Sequence, residues 1–524
     1  MDPTASLQVD HPPLWARGWL HAVHLVPKLI ALFAIYVTTV CVYRTFFHPL
    51  ARFPGPPLAK ISNLHAAYYS WRGTIREDIL RCHEKYGKYV RYAPDRVLFN
   101  TAQAVSDIYA HRANTIKSKT YLMLAQQAAN SLTMRDKVLH GKRRRVVSQA
   151  FSDATMRSFE PKIVEKIQRL SDTIRKSFGG DGLSETMDMG RYFDYLAFDI
   201  MADVLFSAQY NTVEKEKFRY VVGAIADHNV RLGVIAQAPV LAIKALQRPM
   251  FLRAIRARDR FVKFIRILLG IRLKNKTKQR DIFSYIQDAK DPDTGKGLDL
   301  TELSTETATM IVAGSDTTST TLAATLHYVG YSPNCYETVM REVRNKFKSV
   351  SDIRMGPTLN SCVYLRACID EALRMAPPAG GTLWREVDEG GAVIDGIPIP
   401  AGYDVGIAVH SLHHNPAYFP KPWSYDPNRW LRSGGDKSSV STETMTAAYN
   451  PFGHGPRSCI GKPLALQELM LTLATLFYQY DFCPADRDED AWKSKNMVPE
   501  PFLLKDHVSG QKTGPFVRFR LRGE

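Results

Sequence analysis

A single cysteine, Cys459, stands in a loop too rich in glycine and proline for helix or strand, directly ahead of a segment that reads as helix. The stretch is NPFGHGPRSCIGKPLALQE, from Asn450 to Glu468. Gly453, Gly455 and Pro456 precede the cysteine and Gly461 follows it. Pro463 then opens Leu464-Ala465-Leu466-Gln467-Glu468 as a proline in a first helical turn does. Glycines admit positive φ and close approach to a flat or bulky partner. A helix starting beside Cys459 turns free N–H groups and its positive dipole end toward the sulfur, which favours thiolate. The loop is therefore expected to present an anionic sulfur to something. A phosphate loop does not fit, because Gly461-Lys462 is followed by Pro463 where Ser or Thr is needed. Zinc lacks ligands, since the seven cysteines (41, 82, 335, 362, 368, 459 and 483) include no Cys-x-x-Cys pair. On these residues alone, an inert buried thiol stays open.

Phe452, Gly455, Arg457, Cys459 and Gly461 together give Phe-x-x-Gly-x-Arg-x-Cys-x-Gly. This resembles the haem-thiolate signature of the cytochrome P-450 family. The resemblance implies a mainly α fold with small β-sheets, haem b as cofactor and Cys459 as axial ligand of its iron. Phe452, Gly453, Arg457 and Gly461 would then cradle the haem. It also implies a Glu-x-x-Arg pair on an upstream helix, which CIDEALRMAPP supplies as Glu371 and Arg374, on one helical face. Arg429 of YDPNRWL matches the third member of that ion-pair cluster. Where the family has Pro-Glu-Arg-Phe, this chain has Pro427-Asn428-Arg429-Trp430. These three charged residues are read as holding the fold and not as chemical.

A second signal is ATMIVAGSDTTSTTLAATLHYVG, Ala308 to Gly330, with Asp299 and Glu302 placed to form a capping box before it. Gly followed by Ser, Asp and a run of Thr is a poor way to write a helix centre. Local weakness inside a strong helical pattern points to function. By resemblance, Ala313, Gly314, Asp316 and Thr317 lie against the oxygen-binding face of the haem. The Thr317 hydroxyl is in reach of the Ala313 carbonyl, and Asp316 with Thr317 would deliver protons. The bland alternative is a core helix whose hydroxyls bond the preceding turn. In LHGKRRRVVSQAF, the basic run Lys142 to Arg145 could be a solvated helix face. The resemblance instead assigns His140 and Arg144, with Arg457, to the haem propionates. It places the substrate walls at Thr115 to Met134, Leu205 to Leu246, the helix before Gly314, and PPAGGTLW.

The apolar run from Leu25 to Tyr43 is near the ~20 residues that span a bilayer. Arg44, His48 and Arg52 follow it, and no small-x-small cleavage site does. The reading is a short segment at 1–24, a transmembrane anchor at 25–46, a stiff Pro-rich hinge at 47–60 and one haem domain at 61–524. Fungal microsomal members of the family share this junction. That implies a single-pass protein of the endoplasmic reticulum membrane, in contact with membrane lipid, with the catalytic domain facing the cytosol.

The net charge of +17, from 69 basic and 52 acidic residues, comes with no aromatic-basic module or zinc-finger spacing, so nucleic acid is not the partner. A basic face for an acidic redox partner and anionic headgroups explains the surplus more simply. Nothing resembles a fused flavin or NADPH domain. The resemblance therefore implies NADPH electrons delivered by a separate NADPH–cytochrome P-450 reductase, with cytochrome b5 as a further donor, to a monomeric enzyme. The stretch from Leu373 to Phe419 is similar to fungal secondary-metabolism members of the trichothecene C-15 hydroxylase kind. The expected reaction is hydroxylation of a small apolar polyketide or terpenoid, with phenol coupling or ring formation as the alternative. A reductase-independent isomerase is disfavoured by the retained Asp316-Thr317 pair.

Overall fold

The computed structural model describes residues 14–522 other than 126–127, 181, 275–279, 432–440 and 488–499, and side chains from Leu25 onward. Residues 1–13 of the short N-terminal segment lie outside the described residues. The fold is built around the helix Leu300–Gly330, in which nearly every residue from Thr318 to Gly330 is buried. A helix apolar on all sides has to be covered on all sides. The helices Met189–Phe206, Val363–Met375 and Lys462–Gln479 pack against it. Its start is the predicted capping box: the Glu302 N–H donates to Asp299 Oδ1 at 2.8 Å, and the Asp299 N–H donates to Glu302 Oε2 at 3.1 Å.

Two further helices, Arg219–Gln237 and Lys244–Lys274, cover the first half of the long helix; the second is kinked at Phe251, two residues after Pro249. Beside them lies a five-stranded sheet in the order Tyr89–Ala93, Arg96–Phe99, Asp404–Gly406, Arg385–Val387, Thr115–Lys117. Only the second and third of these strands run parallel. A hairpin near the C-terminus, Leu504–Asp506 with Gly510–Lys512, reaches back to the long helix, where the Thr320 hydroxyl donates to the Gly510 carbonyl at 3.1 Å.

The segment Leu25–Phe47 is long and apolar enough to cross a membrane. Its helix, Leu14–Val42, ends in a wider turn at Tyr43–Phe47. The Pro-rich segment after it is tied down. Arg91, wholly buried, donates to the Arg44 carbonyl at 2.6 Å and to the Pro94 carbonyl at 2.8 and 3.1 Å, while its own N–H donates to Pro54. A Cβ on Gly55 would stand 2.3 Å from the Arg91 carbonyl oxygen. Pro57 begins a helical turn, Pro57–Ile61, so the end of the segment is helical where a low-helix hinge is expected.

Glu371, Arg374 and Arg429 meet in the core, all three buried. Arg374 donates to both Glu371 oxygens, at 3.0 and 2.9 Å, and Arg429 Nε donates to Oε1 at 3.0 Å. Burial opposes the charge on Glu371, but the two guanidinium groups outweigh it and hold the carboxyl below its ordinary range. The Trp430 indole N–H supplies another donor, at 2.9 Å from Oε2. Phenylalanine, the usual residue there by resemblance, has no such donor. Arg374 also donates to the His413 carbonyl, and His413 Nε2 accepts the Asn450 N–H at 3.1 Å. The cluster is thereby joined to the first residue of the cysteine loop.

Replacing Glu371 with Leu leaves two guanidinium groups buried without a counter-charge, and the expected loss is about 3–5 kcal/mol. Trp430→Phe removes one hydrogen bond to a charged group and is expected to lose about 1.5–3 kcal/mol. Urea unfolding with an unchanged slope checks both values.

Candidate active site

The cysteine loop closes on itself. The Gly453 N–H donates to Asn450, Ser458 to Gly455, and Cys459 to the Phe452 carbonyl at 2.8 Å. Gly453 and Gly455 have φ of +71° and +68°, and a Cβ on Gly455 would meet the Tyr109 carbonyl oxygen at 2.0 Å. Gly461 differs, with φ −81° and only Cys459 Sγ, 3.9 Å away, near its missing Cβ. Nothing in the polypeptide requires glycine at 461, and a side chain there would fill only the space beside the sulfur.

Cys459 is exposed, whereas Cys82, Cys335, Cys362, Cys368 and Cys483 are buried. The reading of an inert buried thiol therefore fails for this residue. The helix start acts in the expected direction but does not set the charge by itself. The N–H groups of Gly461 and Lys462 and the Arg144 charge pull the thiol pKa down, yet desolvation outweighs them and holds it above its ordinary value. The sulfur faces a confined space, so it is open and still crowded by protein. A cation in that space would reverse the balance.

The surroundings of the loop are positive. Arg457 lies half-buried, donating to the carbonyls of Met134, Arg135 and Asp136. Arg144 donates to the Ser458 carbonyl at 2.8 Å. His140 is buried on the same helix, Lys137–Ser148. The sequence reading missed two further members, Lys117 and Arg385. They sit directly opposite each other on antiparallel strands, both buried. Like charges so placed repel. Two members show the effect of the others: burial, then Arg457, Lys117, Arg144 and Arg385 push His140 down to about 3, and burial with Arg385 pushes Arg457 down to about 10. Among the described residues, none of the five lies within ion-pair distance of a carboxylate, although other arginines in the chain do. The rest of the basic run divides, with Arg143 pairing with Glu302 and Glu306 and Arg145 with Asp291 and Asp293. Of these two, only Arg145 is exposed and fits the solvated-face reading.

A cavity of about 340 Å³ lies along the first half of the long helix. The long helix contributes Ala308, Thr309, Val312, Ala313, Asp316 and Thr317 to its wall. Residues of all four expected stretches join them, including Leu132, His228, Asn229 and Leu383. The turn Asp506–Ser509 of the C-terminal hairpin also lines it and has no signal in the local sequence. The Thr317 hydroxyl donates to the Ala313 carbonyl at 2.7 Å. That bond is shared by Ser304, Thr305, Thr307, Thr309, Ser315, Thr320, Thr321 and Thr325, each bonding four residues back. The bland reading of these hydroxyls is thus right for most of them, and only Thr309 and Thr317 among them line the cavity. Asp316 is pushed up to about 6, chiefly by burial, with hydrogen bonds from Ser509 and Asn229 acting against it. Gly314 does not serve the cavity. Its missing Cβ would lie 2.5 Å from Met201 Sδ, on the helix packed behind.

The family model for cytochrome P-450 matches residues 54–505. The cytochrome P-450 monooxygenase poxM of Penicillium oxalicum is 47% identical over 496 residues, 94% of this chain and 94% of the relative. The cytochrome P-450 monooxygenase AKT7 of Alternaria alternata is 41% identical, covering 94% of this chain and 97% of its own. The cytochrome P-450 monooxygenase atnE of Emericella nidulans is 39% identical, covering 94% and 98%.

Gly314→Ala drives a methyl into Met201 and is expected to cost about 1–3 kcal/mol, a value for overpacking a core. Adding Met201→Ala should recover part of the loss, which a double-mutant cycle of unfolding midpoints reads directly.

Proposed function

The chain belongs to the cytochrome P-450 family and is a P-450 monooxygenase; from that premise, we propose that it hydroxylates an apolar polyketide or terpenoid in fungal secondary metabolism. The observation that carries the site assignment is the cluster of five basic side chains without carboxylate partners among the described residues, beside the one exposed cysteine of the catalytic domain. This donor set fits a haem: an open thiol whose pKa a neighbouring cation would lower, and basic groups that can receive two carboxylates. Cys459 would ligate the iron. Arg457, Arg144, His140, Lys117 and Arg385 would hold the propionates by charge-assisted hydrogen bonds. Phe452, Gly453 and Gly461 would shape the loop around the ring. When bound, the haem supplies oxygen activation, and a thiolate ligand favours O–O cleavage.

The chain's own residues position and exclude. Leu132, Val312 and Leu383 give the cavity apolar walls that seat an apolar molecule and displace water. Thr317 presents a hydroxyl to that space, held by Ala313, and accepts and passes on a proton at Oγ1. Asp316, next in chain and part of the same wall, holds a proton over more of the pH range than an ordinary carboxyl. Electrons come from NADPH through a separate reductase, with cytochrome b5 as a further donor, at a basic face of a monomeric enzyme. The helix at Leu25–Phe47 anchors the protein, and we assign it to the endoplasmic reticulum with Arg44 and Arg52 on the cytosolic side.

Cys459→Ala is expected to lose activity and the reduced, CO-treated Soret band of thiolate-ligated haem; an unchanged band overturns the ligand assignment. Thr317→Ala should still consume oxygen, while product formed per NADPH falls by roughly 10²–10⁴-fold and hydrogen peroxide rises. Full coupling in that variant contradicts the proton role given to Thr317.

A further inference from the structure

Asp316 Oδ2 receives two protein donors. Asn229 Nδ2–H reaches it at 3.0 Å from the helix Arg219–Gln237, and the Ser509 hydroxyl reaches it from the turn of the C-terminal hairpin. Asn229 Nδ2–H also donates to Ser509 Oγ at 3.0 Å, which closes a ring of three side chains. Asn229 is 3% exposed and Ser509 7%, so water does not compete freely for either. The hairpin is pinned to the same turn of the long helix, because the Thr320 hydroxyl bonds both the Asp316 carbonyl, at 2.8 Å, and the Gly510 carbonyl. Asp316 Oδ1 accepts no hydrogen bond from the described residues, and it is not among the atoms sealed from solvent without a partner. The two oxygens of one carboxyl are therefore unequal: one is fixed by protein donors, the other is open.

We propose that Asn229 and Ser509 are positioning residues that clamp Asp316 through Oδ2 and leave Oδ1 as the atom that hands a proton to the Thr317 side of the cavity. This rests on the reading of Asp316 as a proton donor in the reaction. The Oδ1–H bond breaks and its proton passes to a water or hydroxyl beside Thr317. The carboxylate left behind keeps its two donors on Oδ2 and takes one proton back from solvent, and no electron moves. Without the clamp the side chain is free to turn about its last torsion and present either oxygen, so the open atom is no longer defined.

The other charged and titratable groups near this site are known by name. Lys512, from the hairpin, lowers the Asp316 pKa, and Asp194, from the helix Met189–Phe206, raises it. Lys512 is itself bonded to Asp194 and to Ser319. His228 on the covering helix, and Asp506 and His507 on the hairpin, line the same cavity. Both clamp donors favour the carboxylate, so losing either one moves the proton affinity of Asp316 upward.

The test is an infrared pH titration of the haem-loaded full chain, following the protonated-carboxyl band that disappears in Asp316→Asn. The expected midpoint of the natural protein is about 6. Ser509→Ala is expected to raise it by about one pH unit, a tenfold gain in proton affinity. Ser509→Thr, which keeps the hydroxyl, should return it, and a merely structural role for Ser509 does not predict that rescue. Asn229→Ala should shift the midpoint in the same direction. An unchanged midpoint in haem-loaded Ser509→Ala and Asn229→Ala overturns the clamp. If Asp316→Asn keeps the full turnover rate of the natural protein while the midpoint shifts occur in the clamp variants, the proton-donor reading falls and only the assignment of Oδ1 as donor falls with it.

Discussion

Buried positive charge without a counter-ion is the constraint from which the rest of this molecule follows. Lys117, Arg144, Arg385 and Arg457, with a neutral His140 among them, come from two strands, one helix and one loop, and they converge where, among the described residues, no carboxylate meets them. Protein interiors rarely keep such an arrangement, because desolvating a cation is costly unless an anion or well-placed acceptors offset it. Carbonyl acceptors offset part of it, as at Arg457 and Arg144. A dianionic ligand would offset the remainder. The same reasoning applies to Cys459, whose thiol pKa is raised by burial and would be lowered by a neighbouring cation. A metal porphyrin with two carboxylates answers both demands at once.

The fold delivers these groups through a second, fully internal set of charges. Glu371 gathers Arg374, Arg429 and the Trp430 indole, and Arg374 continues through His413 to the backbone of Asn450. The loop bearing Cys459 is thus hung from the ion cluster at one end and from the helix Lys462–Gln479 at the other. Trp430 in place of the usual phenylalanine adds a donor to a carboxylate already served by two arginines. The change is therefore a gain in hydrogen bonding at an unchanged apolar position.

Local chemistry was legible in the chain and long-range pairing was not. The capping box at Asp299 and Glu302 and the cysteine loop are short patterns with fixed spacing that residue types locate, while the three members of the Glu371 cluster were found through the family resemblance. Lys117 and Arg385 gain their meaning only from the register that sets them opposite each other, and no local pattern encodes that register. The turn Asp506–Ser509 lies far along the chain from Asp316, and the hairpin that carries it is short and polar. Gly314 was legible as an exception within its helix but not in its purpose, because Met201, which needs the space, stands on another helix. The desolvation that opposes the helix start at Cys459 was not legible, because burial is set by the whole fold and a helix start by the local chain.

The claim that a dianionic haem fills this site is tested most directly by titrating the haem-free protein with haem and with its dimethyl ester, which has the same ring and iron but no carboxylates. Several charge-assisted hydrogen bonds are lost with the ester, each worth about 1.5–3 kcal/mol. The account predicts that the ester binds at least ~100-fold more weakly than haem, and that Arg457→Leu narrows the gap. Equal affinity for the two ligands would contradict it.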